Sequence, residues 1–390
     1  MDTTMPTTTT KTTIAKPFIP QSRFMTGAQR VGGYLAEVWR RADHRPAALA
    51  RIIAEMAVLR GFNGLPPSGY LLGHLDRPDI PWLEKWNHLG HRQYEEFVWH
   101  LNDPAYRKIS QNKLAEKALL EAVGLPTPAF RGFFNDRTGR RPDGRPLRAA
   151  RDIEGLFIDL MARNATRKFC FKELEGWAGS GFRAVEVWRI KDRVRITDLA
   201  KRSVGPMSVS EFLYSLDTDR EYLIEDYIDQ HPAYAEIHPT SINGYRFWVL
   251  NEGRGEAGVP FANLRFGRKG ALVDNGTDRI MAPVDPNTGR IELGYEVTLD
   301  RPVFAAHPDT GVPLSGRTLP YFAEARQMAI DAMLVFPGMN FAGVDIAISE
   351  TGPVVLELNN HPGGMGTLVG RKPMREVFTR ALHSLKGEEQ

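Results

Sequence analysis

Gly343-Val344-Asp345-Ile346-Ala347-Ile348-Ser349, Glu350-Thr351-Gly352, Pro353-Val354-Val355-Leu356-Glu357-Leu358-Asn359-Asn360 is the stretch on which the fold turns. Two alternating apolar and polar runs flank a short loop ending in glycine, the composition of a β-hairpin closed by a type I turn and a left-handed glycine. With a three-residue loop Ser349 faces Pro353, and the register sets Asp345 opposite Glu357. A strand repeats every two residues, so both carboxylates share a face and Asn359 joins them there. Like charges directly opposite each other destabilise a strand pair unless something positive sits between them. Mg²⁺ suits such a donor set, because it takes hard oxygen ligands and is commonly held by one or two carboxylates plus substrate phosphates. The competing reading is a solvated polar face on an amphipathic hairpin.

The 390 residues are enough for two or three domains, and 42% hydrophobic with 25% charged residues is ordinary for a globular chain. A formal net charge of +3, from 50 basic and 47 acidic residues, gives no reason to expect nucleic acid or membrane as partner. The local basic run Arg137, Arg140, Arg141, Arg145, Arg148 and Arg151 reads as an exposed loop. A single cysteine, Cys170, excludes an intrachain disulfide and fits a reducing cytoplasm; within Lys168-Phe169-Cys170-Phe171-Lys172 it reads as a small buried hydrophobe in a strand. No apolar run approaches the roughly 18 to 20 residues needed to span a bilayer, and the N-terminus lacks an apolar signal core, so a cytoplasmic location is expected.

Residues 1–21 are rich in Thr and Pro and are expected to be a flexible tail. Helical spacing runs over 27–59, interrupted at Arg45-Pro46, and an aromatic-rich helical pattern covers 82–101, whose aromatics read as core. A helix over 112–123 ends at Gly124, with Pro126 and Pro128 as stop signals. Thereafter strands are expected at 128–134, 168–173, 184–190, 193–197, 222–228, 245–251 and 259–266. Helices are expected at 153–163, 209–216, 321–335 and 374–385. Strands mixed with helices, without a regular βαβ repeat, indicate α+β architecture. The division expected is a tail (1–21), an N-terminal helical region (22–125) and two α+β subdomains (126–228 and 229–386).

Four further segments carry chemistry. Lys172 ends a strand and precedes Gly176-Trp177-Ala178-Gly179-Ser180-Gly181, where glycines let backbone N–H groups approach phosphate oxygens beside a lysine charge; a plain hairpin turn is the alternative. Glu221-Tyr222-Leu223-Ile224-Glu225-Asp226-Tyr227-Ile228-Asp229-Gln230-His231-Pro232 runs from an apolar strand into acidic residues, in the manner of a nucleotide hinge. Ser241-Ile242-Asn243-Gly244-Tyr245-Arg246 and Asn263-Leu264-Arg265-Phe266-Gly267 each place an arginine in a β-like run, suited to bidentate contact with phosphate or carboxylate, or to plain surface salt bridging.

The order of these parts resembles that of ATP-grasp enzymes. With Val273-Asp274-Asn275 and His307-Pro308-Asp309-Thr310-Gly311 added, it resembles the sugar-transfer-associated ATP-grasp group over roughly 100–365. The resemblance implies an ATP-grasp fold, two α+β subdomains gripping ATP. It implies that Lys113 and Lys172 bind ATP phosphates under the loop Gly176, Gly179, Ser180 and Gly181, and that Glu225, Tyr227 and Ile228 line the adenine pocket. Asp345, Glu357 and Asn359 would hold Mg²⁺, while Arg246, Arg265 and Asn275 would take catalytic positions near the transferring phosphate or the acid. Gly343 stands where many ATP-grasp ligases carry an arginine, so Arg246 or Arg265 must supply that charge. Pro232 falls near the usual ribose-binding acid, leaving Asp229 or Gln230 as substitutes. The activity implied is ATP-dependent joining of a small-molecule carboxylic acid to an amine through an acyl phosphate, with transfer of the γ-phosphate to a hydroxyl as the alternative. The N-terminal helical region is left either to shape the acceptor site or to form a homodimer contact. His361 is read as a base or as a structural loop residue.

Overall fold

The computed structural model describes residues 27–161, 166–176, 181–191, 193–217, 219–253, 257–272, 279–298 and 301–387. The expected tail and the positions Gly179, Ser180 and Asn275 lie outside the described residues. Two compact units divide the chain at Leu49 and Ala50. In the first, the helix Gly27–Arg41 carries Glu37 bonded to both Arg40 and Arg41. Further helices, Pro67–Leu72, Trp82–Trp86, His91–Leu101, Pro104–Gln111 and Lys113–Ala122, precede the first strand. Asp103 and Asn112 cap the last two by accepting from Ala105 N–H and Ala115 N–H.

Two antiparallel sheets follow, as the α+β expectation requires. The first has five strands in the order β1-β5-β2-β3-β4: β1 (Phe130–Phe134), β2 (Thr166–Glu173), β3 (Arg183–Ile190), β4 (Arg193–Asp198) and β5 (Tyr222–Asp226). The second has seven, in the order β10-β9-β8-β7-β6-β11-β12. These are β6 (Gly244–Asn251), β7 (Ala257–Phe266), β8 (Ile280–Val284), β9 (Gly294–Glu296), β10 (Val303–Phe304), β11 (Phe341–Ser349) and β12 (Gly352–Asn359).

Period-two alternation gives each sheet one core face and one chemical face. In the first sheet Phe169, Phe171, Tyr222 and Ile224 enter a core with Phe157 and Phe212 from the helices Ala150–Leu160 and Val209–Tyr214. Cys170, Lys172, Leu223 and Glu225 alternate with these residues and take the opposite face. In the second, Tyr245, Phe247, Val344, Ile346, Ile348, Val355 and Leu358 pack on the helix Phe322–Leu334. One end of its other face is also closed: Trp248, Phe261 and Phe341 pack with Tyr94 and Val98 of His91–Leu101 and with Phe378 of Arg375–Leu385.

Most expected elements recur within a few residues. Trp82 and Leu83, read as core, are exposed, whereas Tyr94, Val98 and Leu101 of the same pattern are buried. Arg141, read within an exposed run, is buried because its guanidinium binds the Asp152 carbonyl and the Asp159 carboxylate of the adjoining helix. Among the described residues no helix is long and apolar enough to cross a membrane.

Asn102, just after the helix His91–Leu101, ties the second sheet together. Its Oδ1 accepts from the N–H groups of Asn340 and Phe341, and its Nδ2 donates to the carbonyls of Phe341 and Asn360.

Candidate active site

The hairpin of β11 and β12 pairs Asp345 with Glu357, but by a different route from the expected one. The loop has two residues, Glu350 and Thr351, so Ser349 faces Gly352, whose φ of +129° suits glycine. The register then slips by one between Asp345 and Ile346, making Leu356 the extra residue of a β-bulge. The bulge turns Glu357 back opposite Asp345. Asn359 lies two residues on and donates to Glu357 Oε1 at 3.2 Å.

Arg246 lies beside Asp345 on the neighbouring strand. Its Nε meets Oδ1 at 2.6 Å and its Nη2 meets Oδ2, a bidentate pair. Arg265 from β7 adds a third contact at 3.4 Å. Burial pushes the Asp345 carboxyl up, but the two guanidinium charges outweigh it and hold the group below the usual carboxylate range. A side chain at position 343 is sterically excluded, because a Cβ there would sit 2.5 Å from Pro362 Cβ. Arg246 thus delivers from the adjacent strand the charge that Gly343 cannot carry.

Three N–H donors occupy three of the roughly four lone-pair positions of the Asp345 carboxylate. The remaining capacity, together with the half-buried Glu357 carboxylate and the Asn359 amide, is an all-oxygen donor set of the kind Mg²⁺ takes. Asp345 and Glu357 stand opposite each other in the strand pairing, and like charges so placed favour something positive between them. Among the described residues no group of three His, Cys, Asp or Glu side chains gathers as a metal cluster. The fit therefore depends on the amide and on substrate oxygens beside two carboxylates.

Across from these residues stand Lys172 and Lys113. Lys172 Nζ lies 2.7 Å from Glu225 Oε2, and the carboxylate outweighs burial to raise the lysine's pKa. Lys113 opens its helix and donates to the Gly176 carbonyl at 2.8 Å, while Lys108 pairs with Glu175 at 2.6 Å. These two bonds latch the start of the glycine loop. Gly181 closes it with φ +68°, packed so near Glu173 that a Cβ would overlap its carboxylate.

A cleft of about 140 Å³ brings most of these residues together, with Arg246 and Asn359 outside its lining. Lys113, Lys172, Gly176 and Glu225 line one wall, and Arg265, Asp345 and Glu357 the other. Its apolar part is made by Cys170, Phe182, Tyr227, Ile228, Ile242 and Leu272. The Cys170 thiol is pushed up to about 12 by burial, which makes it a packing group and a poor nucleophile.

Not every expected residue faces the cleft. The Gln230 amide is spent on the carbonyls of His238 and Ser241 and on Asn243, whose backbone and side-chain N–H groups it accepts. Asp226 does line the cleft, but its carboxylate is held by Arg131 and Arg167. Asp229 is exposed and pairs with Lys168 at 3.0 Å. His361 Nε2 lies 2.8 Å from Glu95 and its ring packs edge-on to Tyr94. The His307 motif knits a separate cluster, binding the Gly267 carbonyl beside His238 and Ser241.

Two buried residues escaped the sequence reading. Glu116 accepts from Leu358 N–H at 3.0 Å, immediately after Glu357, and burial raises its pKa well above the usual range. Lys117 pairs with Glu225 at 2.8 Å. Both lie one turn or less beyond Lys113, on the side of the helix that buries Leu120, and a charged residue on that apolar side is the signal that would have found them.

A 65-residue segment is 38% identical to a probable alpha-L-glutamate ligase of Psychromonas ingrahamii, covering 16% of this chain and 21% of that protein. The chain thus matches about a fifth of that relative's length. Among solved structures, the D-alanine–D-alanine ligase of Bacillus anthracis matches at 13% identity over 72% of this chain and 69% of that one, with a TM-score of 0.38. The VanG D-Ala:D-Ser ligase of Enterococcus faecalis matches at 15% identity over 74% and 64%, with a TM-score of 0.39. Residues 92–380, nearly three-quarters of the sequence and all of the cleft just described, match the sugar-transfer associated ATP-grasp family, and the chain belongs to that family.

Proposed function

We propose that this protein is an ATP-dependent carboxylate–amine ligase. The observation that carries the reading is the cleft itself, with two lysines on one wall and Arg265, Asp345 and Glu357 on the other. Family membership and the glutamate-ligase relative support it. Residues 126–228 and 229–386 would form the two halves of the grip.

In this reading the apolar end, Tyr227, Ile228, Cys170 and Leu272, takes adenine. Lys113 and Lys172 neutralise phosphate oxygens. Glu357, Asn359 and the remaining capacity of Asp345 would hold Mg²⁺, which would supply further charge neutralisation at the transferring group. Arg265, with Arg246 behind Asp345, fixes the position of that carboxylate and adds positive charge on the acid side. The γ-phosphoryl passes to a carboxylate oxygen as its bond to ADP breaks. The amine then attacks the acyl carbon, phosphate leaves, and the amine proton goes to solvent. Positioning and charge suffice for this chemistry, and no side chain becomes covalently bound.

Incubation with Mg-ATP, pooled amino, keto and uronic acids, and hydroxylamine as a generic nucleophile tests the reading. ADP formation with an acid-dependent hydroxamate is expected and identifies the carboxylate. ADP with a phosphorylated product and no hydroxamate would replace the ligase by a kinase.

A further inference from the structure

We propose that Lys117 is a positioning residue that holds the Glu225 carboxylate, so that the Lys172 ammonium is free to meet a nucleotide phosphate. The inference rests on the ATP-binding reading of the cleft. Glu225 is buried and lies between two ammonium groups, each on its own oxygen: Lys117 Nζ is 2.8 Å from Oε1 and Lys172 Nζ is 2.7 Å from Oε2. One carboxylate cannot neutralise two lysines; Lys117 has a second, half-exposed carboxylate in Glu121 at 3.8 Å, whereas Lys172 has only Glu225 among the ion pairs of the described residues. Where the positive charge is delivered depends on which lysine keeps the carboxylate.

Position decides between them. Lys172 borders both the cleft and a small cavity behind it, whereas Lys117 borders only the inner cavity, with Thr127 and Leu120. Lys117 is also the more firmly held of the two: its ammonium donates to Thr127 Oγ1 at 2.8 Å, and its side chain is 6% exposed against 18% for Lys172. Lys117 therefore cannot reach substrate. It can remain on Glu225 when Lys172 swings toward an anion in the cleft. Without it, Glu225 is a buried carboxylate whose sole close cation is Lys172, and a buried unpaired charge is costly enough to keep Lys172 where it is. The nearby positive Lys113 donates to the Gly176 carbonyl and offers Glu225 no close substitute.

Calorimetric titration of the full-length protein with Mg-ATP and, separately, with adenosine tests the proposal. Lys117→Met is expected to weaken Mg-ATP by about tenfold, with adenosine unchanged and Lys117→Arg close to wild type. Adding Glu225→Gln to Lys117→Met removes the charge that captures Lys172, and much of the lost Mg-ATP affinity returns. Equal loss for ATP and adenosine would mark Lys117 as a mere brace between helix and sheet and overturn the proposal, as would a double variant no better than the single one. Should Lys117→Met alone fail to fold, the comparison moves to a Glu225→Gln background. There Lys117→Met must cost no further affinity, and a further loss refutes the idea. Absence of Mg-ATP binding by the wild-type protein would overturn the cleft assignment as well, whereas wild-type binding with an unaffected Lys117→Met overturns this proposal alone.

Discussion

Replacing Arg246 with methionine keeps most of the side-chain length and removes the guanidinium from a carboxylate that has few other partners. Breaking a buried ion pair by deleting one member costs about 3–5 kcal/mol, because the remaining charge stays buried. Arg265 stays 3.4 Å from Asp345 and preserves part of the compensation, so about 2–3 kcal/mol is expected for Arg246→Met. The sign with pH follows from the Asp345 carboxyl, whose folded pKa is depressed by the arginines against the effect of burial. A depressed carboxylate contributes stability above its unfolded pKa and loses it as pH falls through the folded value. The wild-type advantage over Arg246→Met should therefore be largest near neutrality and shrink in acid, below about pH 4. Urea denaturation in magnesium-free buffer, followed by tryptophan fluorescence at several pH values, reads both quantities. The double variant Arg246→Met with Asp345→Asn should recover part of the loss, since Asp345 is then no longer a buried charge stripped of its bidentate partner. A deficit below about 1 kcal/mol, or a gap that widens on acidification, would show that the pair is not the source of local stability.

Glu357→Ala should abolish ATP turnover while leaving the far-ultraviolet circular dichroism unchanged; turnover at the wild-type rate would remove the metal assignment. Gly343→Ala forces a Cβ toward Pro362 and should lower stability by about 1–3 kcal/mol in thermal denaturation, in line with overpacking elsewhere. Cys170, with its thiol pushed up to about 12, should resist iodoacetamide in the native protein at mildly alkaline pH and react once urea is added, as mass spectrometry of the alkylated peptide would show.

Alternation made the hairpin legible, since residue type and a period of two are local properties of β11 and β12. What the sequence hid was the bulge. A three-residue loop in regular register and a two-residue loop followed by an extra Leu356 bring Asp345 to the same partner, so the pairing was read correctly from an incorrect turn. β8 was not anticipated, because Ile280-Met281-Ala282-Pro283-Val284 is short and contains a proline, which argues against a strand inside a sheet. The structure nonetheless pairs Pro283 with Asn263. Gln230 and Lys117 show the other limit. Gln230 is taken up by His238, Ser241 and Asn243 within the following 13 residues and Lys117 by a strand far along the chain, and nothing immediately beside either residue announces these partners.

The four hydrogen bonds of Asn102 also bear on how the chain reaches its folded state. They join residues separated by up to 258 positions and fasten the open end of the hairpin that carries Asp345 and Glu357. On the ribosome, the helix His91–Leu101 emerges long before β11 and β12, so this asparagine must wait with its amide in water until Asn360, 258 residues later, has been made. Contacts of such long range form late and slow folding. The cleft therefore cannot be completed before Asn360 has been made, and a nascent chain that stops short of it lacks both the fastening and the carboxylate geometry that depends on it.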